Sequence, residues 1–254
     1  MPLNRDRRTQ RVELLNQQQM VKNTDLMERF GISIETVRRD LAFLEEEGVL
    51  ERIYGGAVKK TYRSTEPLYA SREKENEQEK RVIAREAAKL IAPNDTVFLD
   101  LGTTVGFLAE EIGKDQELTA FTNALRTAVV LSEKPGCQVI IPGGTLRTYE
   151  LSVSGSMAEE NMRRFNVDKA FIGGAGVTES GITDFHIGEA GLRRQIIANA
   201  RQVIVLADYS KFGIRAVSNI CALKDVDVLI TDDKTPQHML DMLQANGVKV
   251  IQAK

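Results

Sequence analysis

Tryptophan is absent from the 254 residues, and histidine and cysteine occur twice each. Cys137 and Cys221 stand too far apart for a CxxC pair, and two thiols cannot build a disulfide framework. His186 and His238 leave little material for a zinc site, so no metal is expected. No apolar run approaches the ~18 residues that cross a bilayer, which argues against a membrane span. The opening Met1-Pro2-Leu3-Asn4-Arg5-Asp6-Arg7-Arg8 is charged and lacks the apolar stretch of a secretory signal, so a cytoplasmic protein is expected. The net charge of −2 carries no electrostatic footprint of a nucleic-acid binder. What is present, 42% hydrophobic and 28% charged residues, suits a globular chain with a substantial core.

The overall charge hides an asymmetry. Residues 1–63 carry 12 Lys/Arg against 10 Asp/Glu, and the remainder 22 against 26. The basic residues of the first segment cluster at Arg5, Arg7, Arg8 and Arg11, then at Arg38 and Arg39, then at Arg52, Lys59, Lys60 and Arg63. A basic-faced module on a mildly acidic body fits a nucleic-acid reader; ordinary solvated surface charge is the alternative.

The expected division is a small domain over 1–60, a linker over 61–76 and a larger domain over 77–254. Pro67 breaks any helix near the boundary, and residues 73–81 hold seven charges in nine. An amphipathic helix begins near Glu77, with Val82, Ile83, Ala87, Leu90 and Ile91 as its apolar stripe. Beyond it, short apolar runs at 97–99, 118–121, 139–141, 170–172, 203–206, 226–230 and 248–251 alternate with helical stretches near 104–113, 124–133, 155–164, 187–200 and 236–246. Such runs are those of parallel strands covered on both faces. The fold class is α/β: a doubly wound, mostly parallel sheet, with ligand chemistry expected at the strand carboxyl ends.

The first sixty residues read as three helices and a hairpin. Helices are expected from Arg5 to Gln18, after an Asn23 cap with Leu26, Met27 and Phe30 buried, and after a Ser33 cap. In the third, Ile34, Val37, Leu41 and Leu44 form the inward stripe and leave Glu35, Thr36, Arg38, Arg39 and Phe43 outside. Gly48 ends it. Val49–Tyr54, Gly55-Gly56 and Ala57–Lys60 read as a two-stranded wing. Together these make a winged helix-turn-helix whose exposed arginines can reach guanine in the major groove. Arg52, Tyr54 and Lys59 are expected at phosphates, and the Gly55-Gly56 backbone close to DNA. A protein-interaction module whose arginines merely solvate is the alternative.

Ser33-Ile34-Glu35-Thr36-Val37-Arg38-Arg39-Asp40-Leu41, then Leu44 to Gly48, then Tyr54-Gly55-Gly56-Ala57, resembles the signature of the DeoR family of bacterial transcriptional regulators. Tyr54 stands where that family usually has His. The resemblance extends through Glu79-Lys80, Asp100-Leu101-Gly102-Thr103-Thr104, Thr122-Asn123, Gly143-Gly144-Thr145-Leu146-Arg147, Ile172-Gly173-Gly174, Gly181-Ile182-Thr183-Asp184, Glu189 and Asp208-Tyr209-Ser210-Lys211. It implies a repressor of a carbohydrate catabolic operon that binds double-stranded operator DNA, answers to a phosphorylated sugar and works as a homo-oligomer, dimer or tetramer, with no cofactor. The DNA-binding candidates are Ser33, Thr36, Arg38, Arg39, Arg52, Tyr54, Gly55 and Gly56.

Gly102-Thr103-Thr104 lies between a strand end and a helix start, where backbone N–H groups, two hydroxyls and the helix dipole converge on an anion. Lys211, at another strand end, can reach the same anion as a point charge. The bland alternative is that Thr103 and Thr104 only cap a helix and Lys211 only solvates a loop. Asp100, Thr122, Asn123, Gly143 and Gly144 complete the effector candidates as contacts to sugar hydroxyls. The Gly-bounded segment from Gly181 to Glu189 is expected to move, with Asp184 and Glu189 as switch residues beside the phosphate loop.

Two competitors remain in view. Gly173-Gly174-Ala175-Gly176 follows a strand but is no G-x-G-x-x-G, and no acidic residue follows at the required distance. The family's sensor fold is similar to ribose-5-phosphate isomerase, so a sugar-phosphate isomerase is the alternative function. That enzyme's D-G-A-D loop is here Gly173-Gly174-Ala175-Gly176, and its R-E-K base segment is Arg193-Arg194-Gln195. Its late D-x-S-K persists as Asp208-Tyr209-Ser210-Lys211. The proton-transfer carboxylates are missing at those positions, with Glu189 or Asp184 left as an alternative base, and no catalytic residue is assigned.

Overall fold

A computed structural model describes residues 20–46, 50–53, 55–59, 62–63 and 66–254. The expected Arg5–Gln18 helix, the Gly48 stop and the Tyr54 contact lie outside those residues. The chain divides into two compact units, Met1–Thr61 and Tyr62–Lys254.

In the first unit, β1 (Met20–Lys22) leads into α1 (Asn23–Phe30) and α2 (Ile34–Glu46), followed by β2 (Leu50–Ile53) and β3 (Gly56–Lys59). Asn23 is the first residue of α1, not its cap; Lys22 holds the cap position without a side-chain bond. The Asn23 amide instead donates to the Gly55 carbonyl at 2.8 Å. The wing has three strands where two were expected, because β1 pairs antiparallel with β3 in the order β1-β3-β2. Val21, Leu26, Val37, Leu41, Leu44, Leu50 and Ala57 form a single small core.

The second unit opens with β4 (Tyr62–Arg63), α3 (Tyr69–Lys74) and α4 (Glu77–Ala88). The 61–76 stretch, expected as a linker, is thus partly regular and belongs to this unit. Seven parallel strands follow: β5 (Thr96–Leu99), β6 (Leu118–Thr122), β7 (Cys137–Ile140), β10 (Val167–Ile172), β13 (Ala200–Leu206), β16 (Val228–Asp232) and β17 (Lys249–Ala253). Their order is β17-β16-β13-β10-β5-β6-β7. Successive residues face opposite sides, so each strand feeds two cores. On one face Phe98, Ile172, Val203 and Val205 meet Ala190, Leu192 and Ile196 of α8 (Ile187–Asn199). On the other, Val97, Leu99, Phe171 and Ile204 meet Ile83, Ala84 and Ala87 of α4, with Val105 and Leu108 of α5 (Thr103–Glu111).

The chain winds outward from β5 to β7 and returns to β10 on the other side of β5. That reversal opens a crevice at the carboxyl ends of β5 and β10, the position at which open α/β sheets bind ligands.

Smaller elements surround the sheet: the hairpin β8 (Thr145–Arg147) and β9 (Ser152–Ser154), and an antiparallel sheet of β11 (Gly176–Thr178), β12 (Gly181–Asp184) and β15 (Ser218–Cys221). β14 (Arg215–Ala216) pairs with β4. The segment expected to move begins as β12, the middle strand of that small sheet, buried along its whole length. A strand bonded on both edges is not a free lid.

Candidate functional site

The candidate DNA-reading surface is built from the turn outward. Gly31 adopts φ +60, and its amide donates to the Met27 carbonyl, closing α1 with a left-handed residue. Ser33 caps α2: its Oγ accepts the Thr36 amide at 3.3 Å and lies 3.1 Å from the Thr36 hydroxyl. Val37, Leu41 and Leu44 are buried, while Arg38 and Arg39 are exposed and make no ion pair among the described residues. Asp40 is buried on the inner face, a position that the apolar stripe did not announce.

Two wing expectations change. Arg52 is not a free cation: its Nε lies 2.6 Å from Glu45 Oε2, and its amide donates to Oε1 at 2.9 Å. The pair fastens β2 to the end of α2. Gly56 is glycine for an internal reason, since a Cβ there would meet the Val21 carbonyl oxygen at 2.1 Å. It lets β1 approach β3. Gly55 is the exposed turn residue, with φ +85.

In the second unit the crevice holds a narrow cleft of about 50 Å³. Gly102, Thr103, Thr104 and Lys211 all line it, as expected, and so does Asp184. Gly102 adopts φ +142 ahead of α5, and no side chain caps the helix. Its first-turn amides are therefore open to an anion. The hydroxyls of Thr103 and Thr104 make no hydrogen bond among the described residues, and Lys211 makes no ion pair there. Gly173 and Gly174, dismissed above as a nucleotide loop, form the facing wall; Gly173 sits against the Leu101 carbonyl.

Four effector candidates lie elsewhere. Thr122 Oγ1 accepts the Ala124 amide at 3.1 Å, and Gly144 packs on the Ser154 carbonyl beside Gly143. Asn123 is fully buried, with neither side-chain atom partnered. None of Thr122, Asn123, Gly143 and Gly144 lines the cleft.

The floor is a buried charge triad that the sequence reading missed. Arg193, 1% exposed, reaches Asp100 Oδ2 through Nε at 2.8 Å and Asp184 through Nη1. Asp100 is thus buried against Arg193 and does not line the cleft. Complete burial pushes its carboxyl up to about 6; Arg193 pulls it down, and Asp184 raises it further. Burial opposes the charge on Arg193, but Asp100 and Asp184 outweigh it and hold the guanidinium protonated. Glu189 does not line the cleft either: it accepts from Ser152 Oγ and lies 3.4 Å from Arg147 Nη1. Of the two expected switch residues, Asp184 pairs with Arg193 and lines the cleft, while Glu189 faces Arg147 outside it. The missed signal is helical periodicity. Glu189, Leu192, Arg193 and Ile196 fall on one stripe of α8, and the apolar pair marks that stripe as inward.

Among the described residues no cluster of His, Cys, Asp and Glu is placed to hold a metal, and no helix is long and apolar enough to cross a membrane.

Comparison with known proteins now bears on this geometry. The profile of the DeoR-like helix-turn-helix domain matches residues 7–62, and that of the DeoR C terminal sensor domain matches residues 75–233. The HTH-type transcriptional repressor GlcR of Bacillus subtilis (strain 168) is 36% identical over 240 residues, 94% of this chain and 93% of that protein. The glycerol-3-phosphate regulon repressor of Escherichia coli (strain K12) is 31% identical over 240 residues, 94% and 95% of the two chains. Among solved structures, ribose 5-phosphate isomerase A of Methanocaldococcus jannaschii aligns over 54% of this chain and 55% of its own, with 21% identity and a TM-score of 0.39.

Proposed function

The chain belongs to the DeoR family of DNA-binding transcriptional regulators, and from that premise we propose that it represses a carbohydrate operon until a phosphorylated sugar occupies the cleft at α5. The relatives that match along almost their whole length are regulators, so the isomerase alternative loses its footing. The observation that carries the ligand reading is the meeting of three groups at one crevice. They are the uncapped start of α5, the hydroxyls of Thr103 and Thr104, and Lys211, the last three without hydrogen-bond or ion-pair partners among the described residues. Amides and hydroxyls donate to phosphate oxygens, and the ammonium supplies charge that the helix end alone does not. The one relative above whose name states a phosphorylated small molecule is the glycerol-3-phosphate regulon repressor.

Arg38 and Arg39 are assigned to the operator, and pairing of half-sites calls for a homo-oligomer, dimer or tetramer, working in the cytoplasm. Calorimetry of the full chain against phosphorylated sugars and polyols, each beside its dephosphorylated form, tests the ligand reading. Only the phosphorylated members should bind, and Lys211→Ala should weaken them at least about tenfold, roughly 1.4 kcal/mol. Equal binding of both forms contradicts it.

A further inference from the structure

One wall of the cleft comes from the segment that follows the boundary at Thr61. Pro67, Arg72 and Glu75 face Gly102, Thr103, Thr104 and Lys211 across it. The six residues of α3 within this segment bury no side chain, and Leu68 just before it is 68% exposed. So short a helix does not hold itself; its one large ring, Tyr69, is half-buried under the guanidiniums of Arg72 and Arg126.

The rest of its attachment is polar. Lys80, fully buried, donates to the carbonyls of Arg72 and Glu75. Arg72 donates to the Pro67 carbonyl at 3.0 Å, lies 3.1 Å from Glu66 Oε1 and pairs with Glu150. Glu66 is shared with Arg147, which also faces Glu189. Three carboxylates thus compete for two guanidiniums. Arg72 is the member of this cluster that also borders the cleft. The other cleft guanidinium, Arg193, is committed to Asp100 and Asp184.

An anion entering between Thr103, Thr104 and Lys211 adds a further claimant for Arg72. We infer that Arg72 is a second cation of the ligand site, exchanging the Glu150 carboxylate for the ligand's phosphate and drawing α3 with it. This rests on the phosphate reading of the cleft given above. The planar guanidinium can grip phosphate through two parallel bonds, which an ammonium cannot. The exchange places ligand occupancy on the stretch of chain that leads directly into the DNA-binding unit. Glu150 acts as a brake on affinity.

The experiment is calorimetry of the full chain with inorganic phosphate, alongside hydrogen exchange. The amides followed are those of Ser71, Arg72 and Glu75, which donate to Leu68, Leu68 and Ser71 carbonyls at 3.0–3.1 Å. Glu150→Gln should tighten phosphate binding about fivefold, and Arg72→Gln should weaken it by a similar factor. Arg72→Gln should also abolish the phosphate-dependent change in exchange across α3. A folding defect weakens binding, so tightening in Glu150→Gln cannot arise from damage. Binding that depends on Lys211 but is unchanged or weaker in Glu150→Gln overturns the role of Arg72 alone. Absence of phosphate binding, or binding that ignores Lys211→Ala, overturns the site and Arg72 together.

Discussion

Arg193 occupies a helix position where periodicity calls for leucine, and its charge is tolerable only because Asp100 and Asp184 flank it. Removing one partner leaves buried charge uncompensated, so Asp184→Asn should destabilise the second unit by about 3–5 kcal/mol in urea titration. Asp100 gives a pH signature. Its carboxyl titrates near 6 in the folded chain against an ordinary 3.8. The folded state therefore binds that proton more tightly than the unfolded state. The contribution stabilises at low pH and is lost as pH rises from about 4 through 6. The melting temperature of the wild type minus that of Asp100→Asn should fall across that window and stay flat above it. A constant difference contradicts the assignment. Lys211, Thr103 and Thr104 were legible in the sequence because strand-end position and residue chemistry agree. The ion pair of Asp100 was not legible: a carboxylate at a strand end reads as a ligand contact, and its arginine lies 93 residues away in the sequence.

Among the elements, the seven parallel strands were legible because burial on both faces makes them near-continuous apolar runs. The strands β1, β11, β12 and β15 were not. They owe their existence to partners elsewhere in the chain, and three or four residues carry no usable period. β1 also gives Gly56 its meaning. Gly56→Ala should force the Val21 carbonyl away and cost the first unit about 1–3 kcal/mol, with operator binding lost in proportion. Arg38→Ala and Arg39→Ala act differently, because neither side chain supports the fold. Each should leave melting unchanged, and whichever reads a base should cost about 1–3 kcal/mol of operator affinity and relax one position of the site. Wild-type affinity in both variants removes α2 from the groove.

The whole molecule is a reader joined to a sensor, and the joint holds regular structure that its composition did not announce. Gly181–Glu189 is bounded by glycine and charged, which suggested a lid, but its first half is the middle of a sheet. The segment around α3, taken for a linker by its proline and dense charge, borders the cleft instead. Composition marked it as a boundary and could not say which side held it. For ligand to release DNA, the two arrangements must differ in ligand affinity, and a coupling of about 1–3 kcal/mol changes operator affinity about 5- to 150-fold. The most direct measurement is operator affinity of the full chain, by fluorescence anisotropy on duplexes selected by the protein itself. The phosphorylated compound that calorimetry identifies is then titrated into wild type and Lys211→Ala. Wild type should lose affinity within that range, while Lys211→Ala should bind the operator normally and fail to respond. An operator affinity indifferent to ligand in the wild type, or an undiminished response in Lys211→Ala, contradicts the account.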